Sequence, residues 1–129
     1  MVLNIPLDNG TGGFLVSEAN GYRSREAITV AKGAGKLPPG TVLARLSADA
    51  GDQKAGEFVP LVAGGANGTG AFAGICYEQV DATAAPVSVT AICRDAEIQR
   101  AKLVFAGTPD AAAKLAVYSA MAALGLALR

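Results

Sequence analysis

The chain has no histidine and no tryptophan, and aromatic residues make up only 5% of its 129 residues. Histidine is the most common general base, proton shuttle and metal ligand of proteins. Its absence excludes Ser-His-Asp and Cys-His hydrolases, zincins and histidine-based redox centres. We therefore expect neither an ordinary enzyme nor a bound cofactor or metal.

Cysteine is also scarce, with only Cys76 and Cys93 in the chain. Two cysteines are too few for a disulfide scaffold, and without histidine they cannot complete a tetrahedral zinc site unless carboxylates contribute. Both lie in apolar runs, which is typical of free, buried thiols. A disulfide between them and a reactive thiol are the alternatives.

Charge is sparse and balanced, because eleven basic residues face eleven acidic ones and only 17% of residues are charged. No positive excess is available to bind nucleic acid or an anionic membrane. Residues 58–77 are uncharged over about the length of a membrane span, but their glycines and Pro60 are incompatible with a membrane helix. The N-terminus lacks the features of a signal peptide. We expect a protein made in a cytoplasm, with no direct nucleic-acid or membrane partner.

The length and the 51% hydrophobic content predict one domain with a core of Ala, Val, Leu and Ile. Residues 1–25 contain repeated glycines and only brief apolar patches, which predicts a flexible N-terminal arm. Residues 26–129 predict a single compact β-rich domain.

Alternating apolar residues between Gly- and Pro-rich turns predict the strands of this domain. The predicted strands are residues 27–31, 41–46, 57–63, 71–77 and 86–93, with short pieces at 96–98, 103–105 and 126–129. The first two form a hairpin or a β-arch. Pro60 cannot donate a ladder hydrogen bond, so its strand belongs at an edge or a bulge.

One helix is predicted at about 109–124. Thr108 is the expected N-cap, Pro109 the first helical residue, and Gly125 the residue beyond the end. Apolar residues cover most of the circumference and leave one polar stripe, formed by Asp110, Lys114 and Tyr118. Such a helix is either sunk in its own domain or partly in contact with another subunit. The candidate residues of a subunit interface are Ala116, Ala120 and Met121.

The remaining motifs do not indicate a nucleotide-binding or catalytic site. The glycine loop at residues 64–74 lacks the Lys-Ser/Thr of a P-loop, and a strand rather than a helix follows it. Three carboxylate pairs lie in turns, where Asp commonly caps backbone groups. These pairs are Asp49 with Asp52, Glu78 with Asp81, and Asp95 with Glu97.

Six segments of the chain, taken in order, support a family resemblance. They are residues 14–31 (FLVSEANGYRSREAITVA), 37–43 (LPPGTVL), 73–75 (AGI), 80–83 (VDAT), 94–97 (RDAE) and 124–129 (LGLALR). In order and spacing they resemble the head decoration protein family of lambda-type tailed bacteriophages.

This resemblance implies a small α+β protein, mainly β with one C-terminal α-helix, in a β-tulip-like decoration protein fold. It implies a homotrimer that binds the outer surface of the expanded phage head and stabilises it against the pressure of packaged DNA. The implied partner is the major capsid protein, and the implied location is the virion, after synthesis in the host cytoplasm.

Under this hypothesis the N-terminal arm is the capsid-binding element. An arm can add a strand to an exposed sheet edge of the capsid protein while its apolar side chains fill pockets. The candidate arm residues are Phe14, Leu15, Val16 and Ser17. A trimer would combine three weak arms into tight binding.

Two alternatives from other classes remain open. A virion-surface adhesin or carbohydrate-binding β domain would need a concave patch of aromatic or amide side chains, and three Tyr without Trp disfavour it. A small enzyme that uses carboxylates alone would need a tight cluster in a cleft, drawn from Asp49, Asp52, Glu78 and Asp81.

Overall fold

The computed structural model describes residues 10–21 and 23–129 of the chain. These residues form a mainly β structure with a single α-helix near the C-terminus, as the sequence predicts. The elements, in chain order, are β1 (Leu15–Glu18), β2 (Arg25–Val30), β3 (Lys36–Leu37), β4 (Val42–Arg45), β5 (Phe58–Pro60), β6 (Phe72–Cys76), β7 (Val80–Asp81), β8 (Val87–Ile92), β9 (Ala96–Ile98), a short 3₁₀ helix (Arg100–Lys102), α1 (Ala111–Ala123) and β10 (Leu126–Leu128).

Five strands close into a barrel in the order β2-β5-β4-β6-β8. β2 pairs antiparallel with β8 along its whole length, but it meets β5 only where Val30 lies opposite Phe58. β4 pairs antiparallel with both β5 and β6. A two-stranded ribbon of β3 and β7 lies outside this order.

A separate three-stranded sheet has β9 at its centre. β1 pairs antiparallel with one side of β9, and β10 pairs parallel with the other side. The register of β1 shifts between Leu15 and Ser17, which is a β-bulge.

Two main clusters of buried side chains form the core. One lies among the barrel strands, and the other joins the barrel to α1 and to the three-stranded sheet. β4 separates them, because Val42 and Ala44 belong to the second cluster and Leu43 to the first. Since strand side chains alternate between faces, a strand buried on both faces needs a continuous apolar run.

Most predicted strands are present with shifted ends. Residues 103–105 form no strand, since Val104 makes only an isolated bridge to Thr41. β2 and β4 are not hairpin partners, because β5 lies between them. Pro60 lies on β5, past the single pair that joins β5 to β2, so its missing N–H costs no ladder bond there.

The observed helix differs from the predicted helix in its N-cap residue and in how much of it is buried. Asp110, rather than Thr108, is the N-cap, and its carboxylate accepts a hydrogen bond of 2.8 Å from the Ala113 N–H. Gly125 follows the end with φ +80°, as expected of a residue beyond a helix. Only Val117 and Met121 are buried, so α1 rests on the surface and is not sunk in the domain.

The predicted arm needs correction over its second half. Phe14 is fully buried, and residues 15–18 form β1, so the compact domain begins well before residue 26. Long-range contacts with β9 fix this segment, although its local composition resembles that of an arm. Residues 1–9 and Tyr22 of the predicted arm lie outside the described residues.

Within the described residues, no helix combines the length and the apolar character that crossing a membrane requires.

Candidate functional site

Both ends of the described chain lie at one end of the three-stranded sheet. Leu15 at the start of β1 and Leu128 at the end of β10 are both opposite Ile98 of β9. Backbone hydrogen bonds continue this row, from the Gln99 N–H to the Phe14 carbonyl and from the Arg129 N–H to the Ile98 carbonyl. We call residues 10–13, 99–100 and 128–129 the terminal surface.

A tight turn leads from the terminal surface into β1. The Gly13 N–H donates to the Gly10 carbonyl, and the Leu15 N–H donates to the Gly12 carbonyl. Gly12 has φ +67°, a conformation that residues with side chains rarely adopt. Its N–H donates to the Tyr77 carbonyl at 2.8 Å, which attaches the turn to the residue that follows β6.

A group of polar side chains fixes the other end of β1. The Arg25 guanidinium binds the Glu18 carboxylate through contacts of 2.6 and 3.1 Å, and Ser24 donates to the same carboxylate. Arg25 also lies over the Tyr77 ring at 4.4 Å. The hydrogen bonds from Arg25 and Ser24 lower the pKa of Glu18. Glu18 is therefore ionised at neutral pH, and β1 carries a charged anchor.

The four candidate arm residues differ in exposure. Phe14 is fully buried among core side chains, so it cannot fill a pocket of another protein in this conformation. Leu15 is half-buried, whereas Val16 and Ser17 are exposed, with 49% of Val16 accessible. β1 is an edge strand, since among the described residues it pairs only with β9.

The candidate interface residues on α1 also differ in exposure. Ala116 is exposed and Ala120 is half-buried, and both line a groove of about 320 Å³ between α1 and residues 63–72. Met121 is fully buried in its own core and cannot contact another subunit. An apolar stripe that includes Ala112, Leu115 and Ala116 faces away from the core, and 65% of Leu115 is exposed. We call this stripe the helix face.

Three of the carboxylates singled out in the sequence, those of Asp49, Asp52 and Asp81, have partners in turns or in a surface ion pair. Asp49 accepts from the Ala55 N–H at 2.8 Å, and Asp81 accepts from the Thr83 hydroxyl at 2.6 Å. Asp52 is 3.4 Å from the Lys32 ammonium group. Within residues 10–21 and 23–129, no three Asp, Glu or Cys side chains come together as a metal site would require. These contacts are those of turns and surface ion pairs.

Both cysteines are free and buried, as the sequence predicts. Burial raises the pKa of each thiol from 9.0 to about 11. The Cys76 thiol also donates a hydrogen bond to the Glu78 carbonyl. Both groups are therefore neutral and weakly nucleophilic at neutral pH.

The contact between Gly12, Tyr77, Arg25 and Glu18 was not predicted from the sequence. Arg25 and Tyr77 are separated by 52 positions, and no local pattern connects them. The only sequence signal is the glycine cluster at residues 10–13, which indicates a turn without identifying what packs against it.

The chain matches a known family over most of its length. The family model described as Bacteriophage lambda head decoration protein D matches residues 7–126. A search of curated proteins found no match. The matched residues include the barrel, α1 and most of the three-stranded sheet.

Proposed function

Because the chain belongs to the family of the bacteriophage lambda head decoration protein D, we propose that it binds as a homotrimer to the outer surface of the expanded phage head. Membership of this family makes the chain a structural protein of the phage capsid rather than an enzyme. The proposed partner is the major capsid protein, and the proposed place of synthesis is the host cytoplasm. Bound trimers stabilise the head against the pressure of packaged DNA.

The observation that carries this proposal is the family match over residues 7–126. The strand register of the three-stranded sheet supports the choice of the face that meets the capsid. Gly10 and Arg129 both belong to the terminal surface, at the same end of the sheet. One face of the molecule can therefore present both to a single large partner. We assign the terminal surface to the capsid side.

Residues 1–9 are the proposed anchor. Leu3, Ile5 and Leu7 alternate with Asn4 and Pro6, a spacing suited to an added strand whose apolar side chains share one face. If it were fully extended, a segment of nine residues would span roughly 30 Å. Val16 and Ser17 on the edge strand β1 extend the same contact, while Phe14 holds β1 from inside the domain.

The helix face is the proposed subunit interface. Leu115 and Ala116 expose apolar surface there, and small side chains allow a neighbouring backbone to approach closely. In a trimer each copy would offer the helix face to the next copy, a head-to-tail arrangement that closes into a ring. Three anchors on one particle then reinforce one another through effective concentration.

Selective binding explains how such a protein would stabilise a head. A ligand that binds only the expanded state of a shell stabilises that state by mass action. About 1–3 kcal/mol of differential binding per site becomes a large sum over the many sites of one shell.

Cosedimentation with heads of the same phage tests this function. The intact protein should pellet with expanded empty heads and should remain in solution with unexpanded precursors. A variant that lacks residues 1–9 should keep its folded far-UV and thermal signature but lose most binding to expanded heads. Equal binding to both shell forms would contradict the proposed function, and undiminished binding of the truncated variant would contradict the proposed anchor.

Native mass measurements test the interface with a matched pair of alanine variants. Ala116→Glu places a charge on the helix face and should convert trimers to folded monomers. Ala84→Glu makes the same change at an exposed alanine outside α1 and should leave trimers intact. A monomeric wild-type protein, or a trimeric Ala116→Glu variant, would show that the interface lies elsewhere.

A further inference from the structure

We propose that Gly12, Tyr77, Arg25 and Glu18 form a positioning clamp that fixes where the N-terminal segment leaves the domain. The clamp thereby sets affinity for the phage head without contacting the head. This inference rests on the proposed function, in which residues 1–9 bind the capsid.

The first half of the clamp joins Gly12 to Tyr77. The Gly12 N–H donates to the Tyr77 carbonyl at 2.8 Å, and a β-carbon at position 12 would lie only 2.8 Å from a ring carbon of Tyr77. The turn therefore passes directly against the aromatic ring. A glycine is required there both by this close approach and by the positive φ.

The second half holds the ring in place. Arg25 lies over the ring at 4.4 Å and donates to its hydroxyl at 3.3 Å, while Glu18 binds the same guanidinium at 2.6 Å. The side chains of Arg25 and Glu18 are only 27% and 21% exposed, so solvent weakens this ion pair less than an exposed one. The ring cannot swing away from Gly12 without breaking these contacts.

The two halves together secure β1 at both of its ends. Gly12 lies three residues before β1, and Glu18 is its last residue, yet both are held by the pair of Tyr77 and Arg25. β1 makes strand pairs with β9 alone among the described residues, and its register is interrupted by a bulge. The ladder of β1 is therefore short, and the clamp supplies the additional attachment.

Attachment of this kind changes binding through pre-organisation. With the clamp closed, the chain reaches the terminal surface through a fixed turn at residues 10–13. With the clamp open, that turn is released as far as the buried Phe14, and more conformational freedom is lost on binding. Because three N-terminal segments bind together in a trimer, a small loss of affinity in each segment becomes a larger loss of affinity for the trimer.

The test compares variants of the full-length protein in binding to expanded heads. Tyr77→Ala and Arg25→Gln should each weaken binding by on the order of tenfold or more. Tyr77→Phe keeps the ring and should bind within about twofold of wild type. Arg94→Gln is the matched control, because it removes another ion pair of 2.6 Å, with Glu26 on β2, that lies outside the clamp. It should bind like wild type.

Two further readouts separate positioning from a general loss of stability. Amide hydrogens of residues 15–18 should exchange faster in Arg25→Gln, while those of β8 stay protected. In the variant that lacks residues 1–9, Arg25→Gln should have a much smaller effect on binding than in the full-length protein, because the main segment that the clamp positions is gone.

The possible outcomes distinguish this inference from the proposed function. If the wild-type protein does not bind expanded heads, the proposed function itself is wrong. Wild-type protein that binds, with Arg25→Gln binding equally well, overturns the clamp and leaves the function standing. If Tyr77→Ala does not fold, Arg25→Gln alone decides the question, since its side chain lies at the surface of the clamp.

Discussion

At the scale of single residues, burial decides which of two similar apolar side chains can reach a partner. Phe14 and Val16 are two positions apart in the same glycine-flanked segment. Phe14 is fully buried against residues of α1, β9 and the barrel, whereas 49% of Val16 is exposed. The sequence alone places both in the same binding arm, because the contacts that bury Phe14 come from residues far along the chain.

The first prediction follows from this difference. Phe14→Ala should lower the free energy of unfolding by about 3–5 kcal/mol, since it leaves a cavity in the core. Val16→Ala should change it by no more than about 0.5 kcal/mol. Denaturant unfolding of both variants makes the comparison. If both variants lost similarly little free energy of unfolding, Phe14 would not be a core residue.

The second prediction concerns the thiols of Cys76 and Cys93. Their folded pKa values are raised to about 11 from 9.0, so the folded state disfavours the thiolate. The stability that these thiols contribute is fully present below pH 9.0 and is lost as pH rises towards about 11. Under reducing conditions, the free energy of unfolding should fall more steeply over this range in wild type than in the Cys76→Ala, Cys93→Ala double variant. Parallel pH profiles would contradict buried, neutral thiols.

At the scale of elements, the long strands and the helix could be predicted, whereas the short strands could not. β2, β4, β6 and β8 have apolar patterns and turn signals of their own. β1, β3 and β7 were missed because two to four residues carry too little pattern, and their partners are distant in sequence. The surface position of α1 was also missed. This alanine-rich helix is apolar over most of its circumference, so its sequence does not show which side packs on the core.

The third prediction distinguishes two candidate caps of α1. Asp110→Ala should cost about 1 kcal/mol of stability, because the Ala113 N–H loses its acceptor. Thr108→Ala should cost no more than about 0.5 kcal/mol, since Thr108 lies outside the helix and is exposed. Thermal unfolding of the two variants measures the difference. A larger loss for Thr108→Ala would move the start of the helix to where the sequence first suggested it.

At the scale of the whole molecule, a closed barrel and a small sheet share one core and leave two separate features at the surface. The terminal surface collects both chain ends, and the helix face exposes apolar side chains. Family membership could be inferred from ordered sequence segments, because these extend over nearly the whole chain. The clamp and the terminal surface depend on pairing between distant strands, and only the structure brings those residues together.

If this protein stabilises the expanded head by binding to it, its addition should protect heads that lack their own decoration protein. The decisive measurement is the survival of such DNA-filled heads under a heat or chelator challenge, with and without added protein. We predict that heads with added wild-type protein survive to higher temperature, that protein lacking residues 1–9 gives little protection, and that Arg94→Gln protects like wild type. Identical survival curves with and without wild-type protein would mean that the protein does not stabilise the head.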